Sequence, residues 1–164
     1  MPAVLISDSS LKIINEAIQA ELDAFYLYKH LQNQTQRLGL FGASKYFSGE
    51  SEDELSHYQK HADFLNERGT VAQLPTIEEF TDGVSGLMDA LKTALQAELD
   101  LGDKYVKRYA ETATKDPITA QHLLQFLEFQ RKSIGEYSDW IQRLTISGNA
   151  GASVILIDQE MGSK

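Results

Sequence analysis

The chain has 164 residues, 42% hydrophobic and 24% charged, and reads as one globular domain over 1–164 rather than a disordered or membrane-embedded segment. Fifteen Lys and Arg against 24 Asp and Glu give a net charge of −9, which attracts cations and argues against nucleic acid as a partner. There is no cysteine, so disulfides, thiolate metal sites and cysteine nucleophiles are excluded, and a reducing compartment such as the cytoplasm fits.

Residues 1–10 hold no Lys or Arg and only the short apolar run Ala3–Ile6, so they read as neither a signal nor a transit peptide. No apolar stretch is long enough to span a bilayer, and no membrane partner is expected. Glycine and proline punctuate the chain at Gly39 and Gly42, between Gly69 and Gly86, at Pro117, and at Gly148 and Gly151. The first helix is expected at about 10–38, with Ser9 or Ser10 as its cap, Ile14, Ile18, Leu22 and Phe25 as its apolar stripe, and Gly39 as its stop. The second is expected at about 43–68. The third, at about 84–114, carries Leu87, Leu91, Leu95 and Leu99 as a ridge. The fourth, at about 117–147, starts on a proline suited to a first helical turn. After Gly151, Val154–Ile157 forms a helical turn or two, or a strand; periodicity alone does not choose, and a short helix over about 151–160 is the expectation.

Four long helices make an all-α bundle. The first and third breaks are short, so helices one and two are antiparallel neighbours, as are three and four. The middle connection is about fifteen residues, long for a compact domain. It can run the length of a helix of about 39 Å. Helices two and three are then parallel, joined by a long crossover. An internal repeat agrees: Ile18-Gln19-Ala20-Glu21-Leu22-Asp23 returns as Leu95-Gln96-Ala97-Glu98-Leu99-Asp100, identical at five of six positions.

Glu21 and Glu98 are equivalent in that repeat, each within a mainly apolar stripe, where a carboxylate needs a partner or a metal. Glu54 and His57 are three apart on one face of helix two, the Glu-x-x-His unit of carboxylate di-iron bundles. Glu21 and Glu54 are equidistant from the first turn, and Glu98 and Gln130 from the third, each about 25 Å away at 1.5 Å per residue. The four residues therefore lie at one depth. One metal position would take Glu21, Glu54 and His57. The other would take Glu98, a bridging Glu54 and a weak amide contact from Gln130. Hard oxygens with one imidazole suit Fe²⁺, Mn²⁺ or Zn²⁺. Taken singly, each residue has a bland reading: a solvated glutamate, or a Glu-x-x-His that arises by chance. The acidic run Glu50, Glu52, Asp53 and Glu54 reads mostly as a solvated face. Tyr28, seven residues after Glu21, is either a core aromatic or a donor beside the site. His30, His61 and His122 read as surface or satisfied histidines.

With these residues in hand, the chain resembles the non-haem ferritins over nearly its whole length, in the separations of Glu21, Glu54, His57 and Glu98, in Tyr28 and Gln130, and in the tail from Gly148 through Ile157-Asp158-Gln159-Glu160. The resemblance implies a ferritin-like four-helix bundle with a short C-terminal fifth helix, assembled as a homo-oligomeric 24-subunit shell. Its implied activity is ferroxidase: Fe²⁺ is oxidised by O2 at a di-iron centre, and ferric mineral is stored inside. Glu21, Glu54 and His57 would hold one iron, and Glu54, Glu98 and Gln130 the other, with Tyr28 beside them. Leu55 and Ser133 stand where bacterioferritins carry a haem-ligating Met and a second histidine, so no haem is implied. Glu50 is a candidate auxiliary iron contact, and 118–124 holds none of the acids that line animal ferritin channels. A non-catalytic shell subunit and another di-metal oxidoreductase on the same bundle remain the alternative readings.

Overall fold

The computed structural model describes residues 3–164; Met1 and Pro2 of the expected 1–164 domain lie outside the described residues. Five helices are formed: α1 (Asp8–Arg37), α2 (Phe41–Glu67), α3 (Leu87–Thr112), α4 (Pro117–Ile146) and α5 (Gly151–Gly162). Among the described residues no helix is long and apolar enough to cross a membrane.

The cap of α1 is Ser7, not Ser9 or Ser10. Ser7 keeps an extended backbone, and its hydroxyl accepts the Ser10 N–H at 3.2 Å. Ser9 and Ser10 are already helical and cannot serve. Ile6 is buried in the cluster that Leu11 packs against, an apolar clasp across the cap. At the other end Gly39 takes φ of 79°, its N–H bonds Gln36 O, and Leu40 N–H bonds Thr35 O. That closure lets α2 turn back at once and pack along α1.

The crossover follows α1 from its start to its end. Gln73 N–H bonds Asn15, Gln19 bonds Thr76 O, His30 bonds Asp82 O and stacks on Phe80, and Val84 N–H meets Gln34. The chain thus returns to the end of the bundle where α2 began, and α3 runs parallel to α2. Helix α3 begins at Leu87, three residues later than periodicity suggests, because Asp89 reaches back to Ser85 N–H at 2.9 Å and holds the approach outside the helix. The expected ridge on α3 also turns out differently. Leu87 and Leu91 are buried, but Leu99 is 40% exposed, and the buried line continues through Ala94, Glu98, Leu101 and Tyr105. Steps of four residues drift about 40° each around the helix, whereas alternating threes and fours stay on one face. Leu124 on α4 is exposed because it stands about 100° round the helix from Leu123, which is buried with Phe126.

Helix α2 has no side-chain cap of its own. The cap comes from α5: Asp158 accepts Ala43 N–H at 2.7 Å and Gly42 N–H at 3.1 Å. Residue 42 must be glycine, since a Cβ there would stand 1.8 Å from Asp158 O. Val154–Ile157 is helical because α5 buries Ile157 and Met161 in the core that α2 shares, with Asp158 between them.

The core is divided. One apolar cluster gathers Leu27–Phe47, Leu87–Ala94 and Tyr137–Leu144 with α5; the other gathers Ile14–Leu22, Phe64, Leu65, Leu101, Tyr105, Leu123 and Phe126. Between them lies a level of buried polar side chains. Asp158→Ala should leave two N–H groups of α2 without acceptors and lower stability by about 1–2 kcal/mol. Guanidinium unfolding checks this; an unchanged midpoint would mean that water replaces the cap.

Candidate metal centre

The buried polar level takes one side chain or more from each of four helices: Glu21 from α1, Glu54 and His57 from α2, Glu98 from α3 and Gln130 from α4. Glu21, Glu54, Glu98 and Gln130 are all at least 97% buried, and His57 is half-buried. His57 Nδ1 lies 3.2 Å from Glu54 Oε2 and 3.4 Å from Glu21 Oε2. One ligand atom from each of these three lies within 4.8 Å of the others, the one such His and acid cluster among the described residues. Glu98 stands outside that triad but close enough to raise the Glu54 carboxyl. His57 is fixed by aromatic packing, flat on Phe129 at 4.7 Å and edge-on to Phe126.

Two tyrosines hold the outer oxygens. Tyr28 on α1 donates to Glu98 Oε1 on α3, and Tyr105 on α3 donates to Glu21 Oε1 on α1. The bonds share one antiparallel register, since each tyrosine lies seven residues beyond its own helix's glutamate. Tyr28 is therefore both a core aromatic, in a triangle of rings with Phe47 and Tyr137, and a donor to the site. Tyr105 escapes the sequence reading, although it lies at the same 77-residue offset from Tyr28 that relates Glu98 to Glu21.

The inner atoms have no such donors. Glu21 Oε2, Glu98 Oε2 and Gln130 Oε1 are buried without a hydrogen-bond partner. Leaving buried acceptors unpaired is costly, and bound cations are groups that can satisfy them. Gln130 packs opposite Gly102, where a Cβ would meet the Gln130 Cβ at 3.8 Å, an ordinary contact.

Burial and crowding set the charges. Glu54 is pushed well above its ordinary value by burial and by Glu21 and Glu98. Burial also lifts Glu98, to about 7, against the pull of Tyr28. Burial opposes ionisation of Glu21 too, but Glu54 and His57, close enough to share hydrogens with it, and the nearby His61 hold it below the ordinary range. Glu50 is not the solvated residue its acidic run suggests: burial, Glu98, Asp53 and Glu136 raise it to about 8, while Glu52 and Asp53 are exposed.

A family model for the ferritin-like domain matches residues 11–146. A ferritin of Pacifastacus leniusculus is 32% identical over 90% of this chain and 84% of its own. The chain belongs to the ferritin family. A probable bacterial non-haem ferritin-like protein of Haemophilus influenzae is 24% identical over 97% of both chains, so this is a non-haem ferritin-like protein and, by family, an iron-storage one. An engineered closed form of Archaeoglobus fulgidus ferritin shares the fold with a TM-score of 0.93, at 24% identity over 97% of this chain and 98% of that one.

In this ferritin the raised carboxyls carry protons that a metal must displace. Zn²⁺ binding at pH 7 should release about one proton or more per site. Because Glu98, raised to about 7, loses its proton to solvent as pH rises, its share of the release should shrink above pH 7. Calorimetry in buffers of different ionisation enthalpy measures it; proton release that is absent at pH 7 would show carboxylates already ionised.

Proposed function

We propose that this chain is a catalytic ferroxidase subunit, with Glu21, Tyr28, Glu54, His57, Glu98 and Gln130 as its working residues. The observation that carries the reading is the set of buried acceptors without partners: Glu21 Oε2 beside His57 and Glu54, Glu98 Oε2, and Gln130 Oε1 on a side chain packed opposite Gly102, one turn from Glu98. Two ferrous ions are the substrates. Glu21, Glu54 and His57 bind the first. Glu98, the far oxygen of Glu54 and Gln130 bind the second, more loosely, since α4 offers an amide and Ser133 where a second Glu-x-x-His would stand. Holding both ions against one bridging carboxylate brings them within reach of a single O2. Each ion gives up one electron, so O2 gains two, and the ferric ions leave for storage. The tyrosines keep the outer oxygens engaged, so the inner oxygens stay aimed at the ions while charge changes.

The proposed setting is a homo-oligomeric shell of 24 copies in the cytoplasm, the usual arrangement and place of the family. Large apolar side chains are exposed on the crossover and near the end of α4, with Val71, Leu74 and Ile146 each more than 70% exposed; such positions suit contacts between copies. No haem is assigned, since Leu55 follows the bridging glutamate.

Apo-protein mixed with Fe²⁺ in air should show a fast, saturable rise in absorbance, complete at about two irons per subunit. Glu54→Ala or His57→Ala should abolish that phase. Slow oxidation insensitive to both substitutions would instead support a non-catalytic shell subunit. A stable monomer or dimer with other di-metal chemistry would support a different oxidoreductase.

A further inference from the structure

The hydrogen bond from Tyr105 to Glu21 does not end at Tyr105. His61 Nε2 lies 2.8 Å from the Tyr105 hydroxyl, and His61 Nδ1 lies 2.9 Å from His122 Nε2. His122 Nδ1 faces the Gln125 amide nitrogen at 3.4 Å, and that nitrogen also donates to His122 O at 2.9 Å. The string joins one residue from each helix of the bundle: Glu21 on α1, Tyr105 on α3, His61 on α2 and His122 on α4. Aromatic faces wall it in. His61 stacks on Phe126 at 4.1 Å, His122 on Phe64 at 4.1 Å, and Tyr105 on Phe126 at 5.1 Å. His61 and Tyr105 are fully buried, and His122 is half-buried.

The direction of every bond follows from counting hydrogens. A tyrosine hydroxyl has one, and a metal-binding carboxylate can only accept, so Tyr105 donates to Glu21. The Tyr105 oxygen must then accept from His61, which places the His61 hydrogen on Nε2. A neutral imidazole carries one hydrogen, so His61 Nδ1 is an acceptor and His122 Nε2 the donor. His122 Nδ1 is left as an acceptor towards Gln125. Burial pushes His61 down to about 3 and His122 to about 4, so both rings are neutral at physiological pH.

We infer that Tyr105, His61 and His122 are positioning residues of the metal centre, a directed hydrogen-bond string that locks Glu21 with Oε1 engaged and Oε2 turned towards His57 as a ligand. This rests on the reading of Glu21, Glu54 and His57 as the first metal position. His122 fixes the tautomer of His61, His61 supplies the donor that leaves Tyr105 free to give its hydrogen to Glu21, and Tyr105 orients the carboxylate. The sequence reading gives His61 and His122 no role, because four helices must assemble before they meet.

The test uses the assembled protein with Zn²⁺, a redox-inert probe, titrated by calorimetry. Tyr105→Phe keeps the ring and removes the bond, and should weaken the first Zn²⁺ by about tenfold, within the range of lost outer-shell partners. His61→Leu should weaken it similarly. His61→Gln, whose amide can place a donor where Nε2 stood, should restore most of the affinity; a purely packing role would not distinguish Gln from Leu in this way. Full-strength Zn²⁺ binding in both Tyr105→Phe and His61→Leu overturns the string, as does a His61→Gln variant no better than His61→Leu. A measurement on the unsubstituted apo-protein is independent of any folding defect: ¹⁵N histidine spectra should show both His61 and His122 protonated at Nε2 at neutral pH. A hydrogen on His61 Nδ1 overturns the proposal. Controls separate the two levels of inference. If Glu54→Ala and His57→Ala lose Zn²⁺ while Tyr105→Phe does not, the string fails and the site stands; if all bind alike, the site itself is wrong.

Discussion

Buried carboxylates are the constraint around which this bundle is built. Glu21, Glu54 and Glu98 sit at one level in an otherwise apolar interior, each at least 97% buried. Three such charges repel one another and lose their water, so the protein must neutralise them by protons, donors or cations. It uses protons and donors for part of the demand. Burial and its neighbours push Glu54 towards its protonated form, and a tyrosine occupies one oxygen on each of the other two. Glu21 Oε2 and Glu98 Oε2 have no hydrogen-bond partner, which keeps the demand for a cation in place. Filling those positions with hydrogen-bond donors would make a more stable bundle and a poorer metal binder.

The reciprocal tyrosines show how a repeated hairpin becomes a site. Each half of the chain brings a glutamate and, two turns later, a tyrosine. Because α1 and α3 pack antiparallel, each tyrosine reaches the glutamate of the other half. The symmetry is broken outside that pair. Helix α2 offers Glu54 and His57, whereas α4 offers Gln130 opposite Gly102 and no second histidine. The surroundings differ likewise. Tyr28 lies beside Phe47 and Tyr137, while Tyr105 lies against His61 and Phe126. Two positions with unequal ligands suit a reaction in which metal is cargo that must leave.

The elements outside the four helices hold that register. The crossover is tied to α1 along its length, so α3 is delivered to the end of the bundle where its antiparallel course puts Glu98 beside Tyr28. At the same end α5 caps α2 through Asp158, and the contact between Gly42 and Asp158 leaves no room for slippage there. Apolar clusters on either side then clamp the polar level between them.

Local pattern alone was enough for the all-α class, the long crossover and the singling out of Glu21, Glu54, His57, Glu98 and Gln130, because helix period, breakers and an internal repeat are properties of neighbouring residues. It was also enough to mark Tyr28, though not to say what Tyr28 touches. The fold alone settled which oxygen of each glutamate is held and which is free, since that depends on a partner from another helix. It alone moved the cap of α1 to Ser7, turned Leu99 outward, drew Glu50 inward and joined His61 to His122 and Tyr105. Those outcomes depend on the rotation of each helix about its axis and on groups far apart in the chain, and neither is encoded in the spacing of residues along a single segment.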